Sequence, residues 1–346
     1  MRTVVTILAI FLAQHVHSRA APKPLPKPLP EAWPEAQPES LAEPGFFFGS
    51  DESDPMDCAS GVNVVSVMVY NSDVKGENMS ANDMCTYVNP SQQVAFVTHG
   101  FISSIQDNNF VDLATRLAEK GYTVFGVDWS QGACSGVPTF TKYEYAVTNT
   151  VGVGRRVASY IEKLVTDCHV PLANIRLIGH SLGAHVSGFA SKEVQNKQLG
   201  TIPLIVAADP AGPTLGSKDC NERLCKTDCN CLKVLHTSTL YGITRPIGHL
   251  DLQFNGGSSQ PDCILQSCSH TSSVSYITDT LKSKCAFPGI PMTNDSTPVY
   301  PSNTETNCIL VNDNLLDTSC SIQGEYYVFV NNDTFCTENP PQKCQQ

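Results

Sequence analysis

Short runs of apolar and β-branched residues recur along the chain at 62–70 (VNVVSVMVY), 94–100 (VAFVTHG), 122–129 (YTVFGVDW), 175–180 (IRLIGH) and 204–209 (LIVAAD). Their length and their Gly, Asn, Asp or Pro boundaries predict strands. Between them the spacing of apolar positions becomes helical. Residues 108–120 show it, as do residues 143–166, where Val147, Val151, Ala158, Ile161 and Val165 fall on one side. LKVLHT and HLDLQF read as further strands, residues 272–282 as a helix and EYYVFV (325–330) as a late strand. Strand and helix in alternation predict an α/β fold, with a mostly parallel sheet covered on both faces. There are no internal repeats.

The ends of the chain break this pattern. Residues 1–20 have a positive start at Arg2, an apolar run too short to span a bilayer, and small residues at Ser18 and Ala20. They read as an export signal cut after one or the other. Residues 21–55 are too rich in Pro and Glu to pack a core and are expected to be a pro-segment or a linker. Residues 56–346 are left as one domain. Its last stretch, 286–346, carries four cysteines and much Pro, Asn and Thr. It is too short for a separate β-sandwich of about 100 residues, so it is expected to pack on the main domain through disulfides.

With 346 residues and 41% hydrophobic content, the chain can bury one substantial core. All fifteen cysteines follow the signal, which points to an oxidising compartment and several disulfides, with an odd thiol left over. Zinc at Cys225, Cys229 and Cys231 is the competing reading, and export favours disulfides. Sequons at Asn78, Asn294 and Asn332 agree with a secreted, extracellular glycoprotein. The net charge of −11 argues against a nucleic-acid partner and against attraction to anionic membranes, so any lipid surface must be met through apolar contact.

The strongest chemical signal is Gly179-His180-Ser181-Leu182-Gly183. It follows a buried-looking strand and opens a helix rich in small residues, the setting of a nucleophile elbow. There the serine sits on a strained turn, and side chains in place of the glycines would strike the neighbouring strand and helix. The Leu182 amide, first in the helix, would face a developing oxyanion. Asp209 closes the strand after that helix and is the candidate orienting carboxylate. Three histidines follow it: His236 and His249 lie in or beside strands, whereas His270 follows Cys268 in a polar loop before a helix, and the spacing favours it as the base. The Phe101 amide, after VAFVTHG, is the second oxyanion candidate.

Taken together, THGF, GVDWS, IGHSLGAH, ADPAGP, VLHT, GHLDLQFNGG and CSHTSSVSYITD resemble the successive landmarks of the pancreatic lipase family over residues 60–290. The resemblance implies an α/β-hydrolase fold, with Ser181, Asp209 and His270 as the triad and the amides of Phe101 and Leu182 as the oxyanion hole. It implies no cofactor and no metal, since residues 220–231 lack a recognisable acidic ligand set for calcium. The long lid of triglyceride lipases is cut here to Cys263-Ile264-Leu265-Gln266-Ser267-Cys268, and the segment from His236 to His249 is compressed. Both features look like those of insect venom and related secreted phospholipases A1. The resemblance therefore implies hydrolysis of the sn-1 acyl ester of phospholipids at a lipid–water interface, with peripheral membrane contact. A neutral triacylglycerol lipase or galactolipase is the near alternative. A non-catalytic lipid carrier like the lipase-like yolk proteins is the distant one, and those lack an intact triad.

Overall fold

The computed structural model describes residues 58–135, 142–292, 297–332 and 335–345. The export signal and the Pro-rich segment lie outside them, as does Asn294. Eleven strands among the described residues form one sheet in the order β10-β9-β11-β8-β7-β6-β5-β3-β4-β1-β2. They are β1 (Ser66–Tyr70), β2 (Lys75–Asn78), β3 (Val94–Thr98), β4 (Thr123–Asp128), β5 (Ile175–His180), β6 (Ile202–Ala208), β7 (Cys229–His236), β8 (Leu250–Phe254), β9 (Phe287–Pro291), β10 (Ile309–Val311) and β11 (Gly324–Val328). From β11 through β4 every neighbouring pair is parallel, and β1–β2 and β9–β10 close the two edges antiparallel.

Every residue of β3, β5 and β6 is buried, because helices cover both faces of the sheet. Successive residues of β3 point to opposite sides, and the core divides accordingly. Val94 and Phe96 join the layer under α2 (Tyr143–Thr166) and α3 (Leu182–Asn196). Ala95 and Val97 join the layer under α1 (Asn108–Glu119) and α4 (Gln266–Thr280). Helix α1 presents Phe110, Leu113, Ala114 and Leu117, one stripe at helical spacing, as its sequence predicts.

Three expectations are corrected. The first strand covers only Ser66–Tyr70, because its partner β4 ends opposite Ser66 at Asp128, which leaves residues 62–65 without a strand to pair with. The helix expected from residue 272 begins at Gln266, so His270 lies within α4 and not in a loop before it. Its first turn holds short polar residues with no apolar period, and it is set in place by the Cys263–Cys268 disulfide beneath it. The tail adds three strands to the sheet where one was expected. β9 and β10 are too short, and β9 too rich in Pro and Gly, to read as strands until a neighbour pairs with them.

Disulfides tie this tail to the body: Cys231–Cys320 joins it to β7 and Cys285–Cys336 to the segment after α4, while Cys308–Cys344 closes it on itself. Cys58–Cys134, Cys85–Cys168 and Cys220–Cys225 complete the set with Cys263–Cys268. The three cysteines weighed as a zinc site are thus divided: Cys225 and Cys231 are bridged, and Cys229 is a buried free thiol. Burial pushes that thiol up to about 12. Asn78 and Asn332 are exposed.

Candidate active site

Ser181 stands between β5 and α3 with φ 57° and ψ −121°, a backbone conformation costly for any residue with a side chain. The turn is pinned from both sides. The Ser181 amide donates to the Ala208 carbonyl at 3.0 Å, and the Ser181 carbonyl accepts from the Ala211 amide at 3.2 Å. A β-carbon at Gly179 would collide with the Gly183 carbonyl, and one at Gly183 with the Thr98 carbonyl. This close packing is why the elbow needs glycine at both places.

The structure brings the other predicted residues to the same carboxyl edge of the sheet. Asp209 directly follows β6 and is fully buried. One of its oxygens accepts from the Thr237 amide at 2.9 Å and the Ser238 amide at 3.4 Å. The other accepts from the Ser238 hydroxyl at 2.5 Å and from His270 Nδ1 at 2.6 Å. Because a carboxylate so surrounded can only accept, the proton of neutral His270 sits on Nδ1 and leaves Nε2 as the ring's basic nitrogen. The ring lies against His180, the residue before Ser181, with centroids 4.5 Å apart.

Phe101 follows β3, and a β-carbon on the preceding Gly100 would come within 2.7 Å of Ser181 Cβ, so this turn lies against the serine. Leu182 is the first residue of α3, where the helix itself offers its amide no partner. His99, beneath the turn, accepts from the Trp129 amide at its Nε2 and donates from Nδ1 to the Gly100 carbonyl, both at 3.0 Å. It thereby fixes the backbone that carries the Phe101 amide.

Of the two other histidines weighed as base, His249 accepts from the Leu232 amide and His236 is buried against Ile243 and Asp251; neither reaches Asp209 by hydrogen bond. The lid candidate is also placed. Cys263 and Cys268 are bridged, Ile264 is 99% and Leu265 67% exposed, while Gln266, Ser267 and Cys268 form the first turn of α4 instead of a loop.

Sequence reasoning missed several residues at the site. His180 donates from Nε2 to the His270 carbonyl at 3.1 Å. Burial first, then the proximity of His270, pushes its pKa well below the usual histidine range, so it stays neutral. Tyr241 sets its ring 5.5 Å from that of His270. Ser238 supplies the hydroxyl on Asp209, and its place just beyond the end of β7 is the signal that would have found it.

The chain matches the lipase family over residues 71–316. It is similar to phospholipase A1 of Solenopsis invicta, at 39% identity over 286 residues that cover 77% of this chain and 83% of that protein. To phospholipase A1 of Dinoponera quadriceps it is 40% identical over 298 residues, 81% and 78% of the two chains. To phospholipase A1 of Vespula squamosa it is 44% identical over 243 residues, 69% and 80%.

Proposed function

The chain belongs to the lipase family, and from that premise we propose that it is a secreted phospholipase A1 that cleaves the sn-1 acyl ester by an acyl-enzyme mechanism. The observation that carries the reading is the His270–Asp209 pair, joined at 2.6 Å and set against the Ser181 elbow. In the proposed reaction Nε2 of His270 takes the Ser181 proton as Oγ attacks the ester carbonyl. The amides of Phe101 and Leu182 hold the oxyanion, and Asp209 steadies the imidazolium. His270 then returns the proton to the departing lysophospholipid oxygen. Water, deprotonated by the same ring, releases the fatty acid.

The substrate class rests on the relatives' activity and on the small lid. A disulfide closes four residues just ahead of His270 in the chain, and two of them, Ile264 and Leu265, turn large apolar side chains outward. We read them as the contact with the lipid surface, suited to a protein whose charge of −11 gives no help from anionic headgroups. We read the shortness of this loop as room for a polar headgroup beside the catalytic groups. Seven disulfides and the amino-terminal signal support export, and the exposed Asn78 and Asn332 are the candidate glycan sites.

The test is hydrolysis of phosphatidylcholine labelled in the sn-1 chain, run beside triolein, with Ser181→Ala as control. The labelled fatty acid should be released faster than oleate from triolein, and the variant should lose roughly 10⁴- to 10⁶-fold in rate while remaining folded. Equal or faster triolein turnover would make the protein a neutral lipase. If an organophosphonate fails to label Ser181, the chain is a carrier.

A further inference from the structure

A second histidine–carboxylate pair, His236 with Asp251, lies fully inside the molecule at the ends of β7 and β8, one residue from the Thr237 amide that Asp209 accepts. Both ring nitrogens of His236 face acceptors. Nδ1 lies 2.6 Å from the Ile243 carbonyl oxygen, which can only accept, so Nδ1 bears a proton. Nε2 lies 2.9 Å from Asp251 Oδ1. That oxygen already takes the amides of Ile247 at 2.9 Å and Gly248 at 3.2 Å, and Oδ2 takes Gly248 at 3.0 Å. With both oxygens already accepting from these two amides, Oδ1 meets Nε2 as an acceptor, so Nε2 bears a proton as well.

What this ring grips is the turn that seats Asp209. The Ile243 amide donates to the Pro210 carbonyl at 2.8 Å and the Gly212 amide to the Tyr241 carbonyl at 2.7 Å, so residues 241–243 run beside residues 210–212. Gly242 packs on the Asp209 carboxylate so closely that a β-carbon there would collide with it. Its amide donates at 3.1 Å to the Ser238 hydroxyl that caps Asp209. Tyr241, in the same turn, sets its ring beside His270.

We propose that His236 is a permanently protonated positioning residue: an imidazolium locked between the Ile243 carbonyl and the Asp251 carboxylate, which holds the 238–243 turn against Asp209 and so sets the orientation and basicity of His270. The role in catalysis rests on the triad reading above, whereas the charge state does not. The charged groups that face His236 are Asp251 from β8 and Asp209 from the end of β6; Gln253, its partner in the register on β8, is neutral. Burial alone would discharge the ring, but its hydrogen bond and attraction to Asp251 outweigh that.

The charge state is read from the full-length protein labelled with ¹⁵N-histidine. His236 should show two ring N–H signals with imidazolium nitrogen shifts unchanged from pH 5 to 8, absent in His236→Gln. A single ring proton, or a titration in that interval, would overturn the proposal. The positioning role is read from kcat and KM on a water-soluble p-nitrophenyl ester. His236→Gln keeps a donor but removes the cation. It should lower kcat by about tenfold or more with KM within twofold, and move the acid limb of kcat/KM to higher pH, since loss of a positive charge makes His270 easier to protonate. An acid limb that stays in place would reduce His236 to a packing residue and overturn the role. If the unaltered protein leaves the ester intact while His236 keeps both protons, the hydrolase reading fails and the imidazolium stands.

Discussion

Asp209 exposes no surface and meets its donors from the turn after β7 and from α4, so its carboxylate is oriented before any substrate arrives. Asp209→Asn is therefore the sharpest single-atom test of the triad reading. An amide would donate toward His270 Nδ1, favour the wrong tautomer and leave Nε2 protonated. The expected loss is about 10⁴ in kcat with little change in fold, checked by esterase kinetics beside circular dichroism; a loss under tenfold would remove Asp209 from the proposed mechanism. As candidates, Ser181 and Asp209 stand out in the sequence because each follows a strand in a local motif, whereas spacing favours His270 as a loop residue and it lies instead within α4. Tyr241, Ser238 and His180 do not stand out. They act by contacts between segments distant along the chain, and only the place of Ser238 just beyond β7 hints at a partner.

Among the elements, α4 and the bridged loop ahead of it differ most from a reading of local pattern. Residues 266–273 (QSCSHTSS) contain no large apolar side chain, so no helical period can be seen before Val274. The turn that carries His270 is held from outside, by the Cys263–Cys268 bridge and by the His180 ring that donates to the His270 carbonyl. The exposed pair Ile264 and Leu265 has no packing duty in the fold. Changing both to Asp should therefore leave the melting temperature and soluble-ester hydrolysis within twofold of the original, yet cut binding to zwitterionic vesicles and hydrolysis of their lipid by at least about tenfold, as loss of two buried apolar side chains implies. Unchanged vesicle sedimentation would show that the lipid contact lies elsewhere.

At the level of the whole molecule, buried histidines set a limit on acid stability. His185 donates to the Ala211 carbonyl at 2.9 Å and accepts from the Leu224 amide at 3.1 Å, and burial brings its pKa down to about 4. His180 is lowered in the same direction. Below a pH of about 6.5 the unfolded chain takes up protons at these sites that the folded one refuses, so stability is complete above that value and falls as pH drops toward 4. For His185 alone the loss is roughly 3 kcal/mol. It should appear as a lower denaturant midpoint at pH 4.5 than at pH 7, and His185→Gln, which keeps both hydrogen bonds, should flatten the difference. Equal midpoints at the two values would rule the account out. The one unpaired cysteine adds nothing to reactivity under native conditions, because Cys229 is buried and its thiol is held near 12.

Sequence alone determined the parts that depend on neighbours along the chain: the alternation of β5, α3 and β6, the strained elbow with its paired glycines, and the abundance of cysteine. The alternation of side chains along a strand, the hydrophobic period of a helix and the conformational demands of a tight turn are local properties, so local pattern suffices to read them. Tertiary structure decided which cysteines pair and which one stays free, that the tail's weak strands complete the sheet, and that His236 meets Asp251 in the interior beside Asp209. Those outcomes depend on distances between residues up to 89 positions apart, as in Cys231–Cys320, and such distances exist only once the sheet has closed on its helices.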